Sequence, residues 1–246
     1  RCLCLDHAGR VFAEAGGGLG ADTLIGDDHD NIIRGGKGAD HIDGSGGTDR
    51  ASYAYSSLAV DVDLTRPVQL GGDAAGDTLA NIENLTGSDH ADHLAGNDDR
   101  NIFSGGLGGD IIDGRGGRDF VDYRGSTAVD IDLTRTAQHG GDAEGDQLTS
   151  IENVRGSTAD DRIAGDAGSN ELIGDAGNDF LDGSGGNDLL KGMTGNDILH
   201  GGAGDDRMTG GDGADQFYFG QGHDTVTDFD AAEGDVIGVA GDFLGS

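Results

Sequence analysis

Gly17-Gly18-Leu19-Gly20-Ala21-Asp22-Thr23-Leu24-Ile25 has the form G-G-x-G-x-D-x-U-x, where U is a large apolar residue. Copies of this nonapeptide begin at Gly17, Gly26, Gly35 and Gly44, again at Gly87, Gly96, Gly105 and Gly114, and then without a break from Gly156 through Gly165, Gly174, Gly183, Gly192 and Gly201 to Gly210. Position one is Gly in every copy. Position six is Asp22, Asp40, Asp49, Asp92, Asp110, Asp119, Asp161, Asp179, Asp188, Asp197, Asp206 and Asp215, with Asn31, Asn101 and Asn170 in the remaining three. Position eight is apolar throughout and large in all copies but one, where Ala51 stands. A phase-locked repeat of this length settles the architecture before any local propensity is weighed.

Each column has a physical task. A six-residue turn followed by a three-residue strand, x-U-x, directs one side chain inward per nine residues. Two nonapeptides make one coil of eighteen residues with two short strands facing each other. Successive coils stack about 4.8 Å apart and form two parallel sheets. The expectation is an all-β parallel β-roll, a solenoid with no ordinary helical domain, because Gly at this density breaks helices. One aliphatic side chain contributes about 1.5–3 kcal/mol on burial. Ordering nine residues costs about 1 kcal/mol or more for each backbone unit. Stacked Asp columns also repel one another. Something cationic must therefore hold the turns together.

The composition agrees. The chain has 246 residues, 50 Gly and one Pro, and a net charge of -32. Of its 47 acidic residues, 41 are Asp, the residue that suits turns and can ligate a cation, rather than Glu, which suits helices and solvated tails. Fifteen scattered cations make no basic face, so nucleic acid is not expected as a partner. No apolar run approaches a membrane span, and no signal peptide opens the sequence. Two cysteines, Cys2 and Cys4, cannot frame a disulfide scaffold. A first residue of Arg rather than Met suggests a fragment, with a possible upstream domain of the same polypeptide.

Hard oxygen ligands in flexible turns are what Ca²⁺ prefers; Mg²⁺ demands stricter geometry, and Zn²⁺ wants the His or Cys that these columns lack. Because a coil is eighteen residues, the turn of one repeat neighbours the turn two repeats on. The expected ligand pairs on one side are Asp22/Asp40, Asp92/Asp110, Asp161/Asp179, Asp179/Asp197 and Asp197/Asp215. On the other side they are Asn31/Asp49, Asn101/Asp119, Asn170/Asp188 and Asp188/Asp206. Turn carbonyls complete each coordination sphere, so several ions are expected.

A longer period overlies the short one. Residues 17–86 and 87–155 are two modules, each four nonapeptides and a divergent insert, and the inserts align through Ala59–Arg66 and Ala128–Arg135. Alternating Val-Asp-Val-Asp-Leu reads as a half-buried strand. Gly72–Ala80 reads as a decayed nonapeptide with Asp77 in the ligand column. Residues 156–218 form a regular seven-repeat roll. Residues 1–16 read as an edge hairpin or linker containing Cys2, Cys4 and His7. Regularity stops after Tyr218, and 219–246 read as a terminal cap.

These residues resemble the RTX (hemolysin-type) calcium-binding repeats, and the inserts and cap are similar to the C-terminal region of serralysin-type and other type I-secreted proteins. The resemblance covers roughly residues 17–237. It implies Ca²⁺ in the turns of a parallel β-roll, passage through a bacterial type I secretion channel, and folding on meeting extracellular calcium. The sequence departs from the strict pattern at position four, where His29, His90, Asp99 and Ala159 replace Gly; weak binding or none is expected in those turns.

Catalysis finds no motif: there is no H-E-x-x-H and no G-x-S-x-G elbow. His90 and His93 read as a turn and a strand exterior. Asp61/Asp63 and Asp130/Asp132 read as a solvated face rather than a carboxylate pair. No regular Thr ladder marks an ice-binding face, and Phe180, Leu189 and Ile198 offer at most an apolar trio for a neighbouring domain. The sequence is therefore read as a non-catalytic, secreted calcium-binding β-roll. The alternatives are the carrier end of a secreted protease, lipase or epimerase, or a repeat segment of a surface adhesin.

Overall fold

In a computed structural model the chain is described over residues 18–239. The expected hairpin with Cys2, Cys4 and His7, and the C-terminal Asp242–Ser246, lie outside the described residues. Among the described residues the fold is all β, with two single-turn 3-10 segments, Gly72–Ala74 and Gly141–Ala143, in the inserts. The described residues form two compact units: 18–119 with 145–150, and 120–144 with 151–239.

In the first unit the strands Thr23–Ile25, His41–Asp43 and Thr78–Ala80 pair in parallel in that order. A second run, Asp61–Asp63, His93–Ala95, Ile111–Asp113 and Gln147–Thr149, does likewise. The alternate strands Ile32–Ile33, Arg50–Ser52, Asn84–Thr86 and Ile102–Ser104 build the other wall. In the second unit Asp130–Asp132, Arg162–Ala164, Phe180–Asp182, Ile198–His200, Gln216–Phe219 and Val236–Val239 make one parallel sheet. Phe120–Asp122, Asn153–Arg155, Glu171–Ala176, Leu189–Thr194, Arg207–Asp212 and Thr225–Val226 make the other.

The register is the eighteen-residue coil: Leu24 lies beside Ile42, Leu181 beside Leu199, Leu190 beside Met208. Position eight is buried in all fifteen copies, Ala51 included. One apolar column per wall is the core of the regular repeats, and the inserts add Tyr53, Ala74, Ile82, Tyr123, Ala143 and Ile151 to it. In each insert a strand takes the place of a nonapeptide strand, and Val60 and Val62, like Val129 and Ile131, are buried.

Three expectations are corrected. The roll does not stop at Tyr218: residues 219–227 continue it with Phe219 at position one, since Thr225–Val226 pairs with Arg207–Met208 and Gly222 repeats the positive φ of Gly204. Phe180, Leu189 and Ile198 are not one patch, because Phe180 and Ile198 share one sheet while Leu189 belongs to the other. The carboxylates of Asp61, Asp63 and Asp130 do not form a merely solvated face. Asp61 takes Arg66 at 2.9 Å, Asp63 takes Arg115 at 2.7 Å, and Asp130 takes Arg135 at 3.2 Å. Burial would raise Asp63, but its bonds to Arg115 and Thr65 outweigh that and hold it at about 2.

Candidate metal-binding turns

The Gly-rich turns bring the position-six side chains into columns. In all nine expected pairs the backbone N–H of the earlier residue donates to the side-chain Oδ1 of the residue eighteen positions on, at 2.7 to 2.9 Å. One carboxylate oxygen is thus consumed in fixing the turn below it. The second oxygen is left over. Oδ2 of Asp40, Asp49, Asp179, Asp188, Asp197, Asp206 and Asp215 is buried and has no hydrogen-bond partner.

A buried carboxylate oxygen without a donor is costly. Burial, the largest cause, and the neighbouring carboxylates push Asp179 and Asp188 up to about 7, and Asp197 and Asp49 up to about 6. Asp40, Asp206 and Asp215 are raised as well, first by burial.

These oxygens share a small cradle. A Cβ on Gly192 would lie 2.1 Å from Asp197 Oδ2 and 2.6 Å from the carbonyl oxygen of Gly210. The same two oxygen types border Gly183, from Asp188 and from Gly201. At these glycines a side chain would therefore fill the space where carboxylate and carbonyl oxygens converge. Uncompensated hard oxygens fit a hard divalent cation. Among the described residues no three His, Cys, Asp or Glu side chains form a metal-holding cluster. Position-six residues stack in pairs through the N–H to Oδ1 bond, and the carbonyls of the turns are the other oxygen donors at hand.

The first coil of each set is different. Both oxygens of Asp92 are occupied: Ser88 donates from N–H and hydroxyl, and Val60 N–H adds a third bond. Asp161 is held the same way by Ser157 and Val129. Asn31, Asn101 and Asn170 accept on Oδ1 from the residue four positions earlier. These residues close their own turns, and the carboxylates with a free oxygen come from the coil above.

Position four follows the same division. His29, His90, Asp99 and Ala159 all lie in the first coil of a set, where φ is not positive, as it is not at Gly20 and Gly168. In later coils Gly38, Gly47, Gly177 and Gly195 adopt φ of 144°, 118°, 121° and 137°. The departures occur only where no left-handed backbone is needed, so they cost these turns no backbone strain.

The ladder also recruits residues outside the fifteen. Asp40 N–H donates to Asp77 and Asp110 N–H to Asp146, so both inserts carry a working position-six Asp. Glu83 takes the role for Asp49, Asp224 for Asp206 and Asp235 for Asp215. The sequence signal for Asp224 was G-x-G-H-D in frame behind a Phe. Asp77 differs in one respect: its Oδ2 accepts from the buried Tyr53 hydroxyl at 3.0 Å. His93, whose strand position was expected, rests its Nδ1 3.0 Å from Asp61.

The model of the RTX calcium-binding nonapeptide repeat family matches four times, over residues 16–51, 86–121, 155–190 and 191–226. The chain belongs to the RTX repeat family. It is a calcium-binding β-roll, and the fourth match, running to residue 226, includes the repeat that begins at Phe219. No curated protein matches the chain. In this RTX roll the position-six pairs with their uncompensated Oδ2 atoms and the cradle over position one are the residues that would hold calcium. Bound there, the ion would supply the positive charge that the stacked, buried carboxylates lack.

Proposed function

We propose that this RTX roll is a secreted, non-catalytic module whose folding is coupled to calcium outside the cell. The observation that carries the reading is the set of buried Oδ2 atoms, stacked at coil spacing and without donors. Such oxygens make the folded roll unfavourable at neutral pH until a divalent cation joins it. An unfolded acidic chain, with a net charge of -32, is suited to threading a type I secretion channel in a calcium-poor cytoplasm. Extracellular sites with Kd of roughly 10⁻⁴–10⁻³ M would then fill. Each ion that binds only the folded state adds stability by mass action.

Far-UV circular dichroism during a calcium titration tests this, with magnesium as the control. The expected result is a coil-to-β transition with calcium alone. A chain that shows the same β spectrum in EGTA as in calcium contradicts the reading.

A further inference from the structure

Position five, an unspecified position of the nonapeptide, carries a second ladder that runs opposite to the first. Asp160 Oδ1 accepts the N–H of Asn178 at 2.7 Å, Asn178 Oδ1 that of Asn196 at 2.9 Å, and Asn196 Oδ1 that of Ala214 at 2.8 Å. On the other side Ser169 Oγ takes Asn187 N–H at 3.2 Å, Asn187 takes Asp205 at 2.9 Å, and Asp205 takes His223 at 2.8 Å. In the carboxylate ladder the upper coil accepts from the lower; here the lower coil accepts from the upper. Residues 178–179 and 196–197 are thereby joined by a reciprocal clasp, Asp179 N–H to Asp197 and Asn196 N–H to Asn178. The position-five side chains are exposed, and their bonds need no metal.

The two insert-bearing modules largely lack this device. Position five there is Ala21 and Ala39, Ala91 and Gly109, Arg100 and Arg118, none of which offers a side-chain acceptor. Asp30, bonded to Thr48 N–H at 2.8 Å, is the counterexample. Both pairs of turns share the carboxylate bond and a backbone bond, Ile111 N–H to Asp92 O and Ile198 N–H to Asp179 O, but only Asp179/Asp197 add the position-five bond.

We propose that Asp160, Ser169, Asn178, Asn187, Asn196 and Asp205 are positioning residues. They hold successive turns at the spacing where paired carboxylates meet a cation, so the set from Gly156 takes up calcium at lower concentration than the module from Gly87. The proposal rests on the calcium-binding reading and adds an order of filling to it. A turn fixed in advance by its own hydrogen bonds loses less freedom when the ion binds.

The test uses the full chain and calcium alone, with hydrogen exchange read by mass spectrometry on peptides from 156–218 and from 87–119. In the unaltered protein the 156–218 peptides gain protection first. Asn178→Ala with Asn196→Ala raises their calcium midpoint about ten-fold, the effect of two lost hydrogen bonds, while the circular dichroism at saturating calcium is unchanged. Asn196→Asp, which keeps the acceptor, preserves the midpoint. Ala91→Asn, which adds an acceptor facing Gly109 N–H, lowers the midpoint of the 87–119 peptides. A calcium response whose midpoints ignore these variants, or in which 87–119 fills first, overturns the positioning role alone. No calcium response in any peptide overturns the binding reading with it.

Discussion

Asp197 shows what one carboxylate does here. Its Oδ1 fixes the N–H of Asp179, its own N–H is fixed by Asp215, and its Oδ2 is unpartnered. It belongs to two pairs, whereas Asp22 belongs to one. Asp197→Ala should raise the calcium midpoint several-fold more than Asp22→Ala, which calorimetric titration of both variants measures. The raised carboxylates also set a sign for pH. An unfolded Asp titrates near 3.9, while Asp179 and Asp188 in the fold titrate at about 7. Without calcium these groups favour the fold below the unfolded value, and that contribution disappears as pH rises through about 7. Calcium must displace the same protons, so its midpoint should climb as pH falls from about 8 to about 6; a midpoint that stays level or drops would contradict the assignment. The position-six partners could be read from sequence because an Asx column at fixed spacing has one geometric meaning. Asp146 stands in Gly141–Thr149, the counterpart of Gly72–Ala80, but Asp235 could not be read, because its frame is broken by the cap and only the fold returns it to the column.

At the level of the turn, a position-four glycine tolerates replacement only in the first coil, where its φ is not positive. Gly195 has φ 137°, and a Cβ there would fall 1.7 Å from Gly177 O, whereas a Cβ on Gly168 meets nothing closer than Asp166 Oδ1 at 3.2 Å. Gly195→Ala should cost more than about 2 kcal/mol, and Gly168→Ala should change stability little, as denaturant melts at saturating calcium would report. The inserts use another solution. Tyr53, buried, bonds Asp77 Oδ2, so this turn satisfies its carboxylate with a hydroxyl. Tyr53→Phe should destabilise the first module by about 1–3 kcal/mol, seen as earlier loss of protection in its peptides. Asp77's column was visible in Gly72–Ala80, but its Tyr partner lies twenty-four residues away and follows no period. The outward ion pairs Asp63–Arg115 and Arg155–Asp175 escaped the sequence for the same reason.

For the molecule as a whole, a thin core and a charge of -32 leave little to oppose unfolding once calcium is withdrawn. Excess EGTA should convert a protease-resistant chain into one cleaved throughout residues 17–226, and added salt should slow but not prevent this. With the repeat at Phe219 included, the three sets contain four, four and eight nonapeptides. Each is an even number, and the eighteen-residue coil explains why. A gene that gains or loses one nonapeptide sends every later turn to the opposite wall, so the insert or cap that follows the set meets the wrong wall; gaining or losing two merely lengthens or shortens the stack. Such a lineage can change size only in double steps, and unequal crossing-over within the repeats leaves viable offspring when it respects that parity.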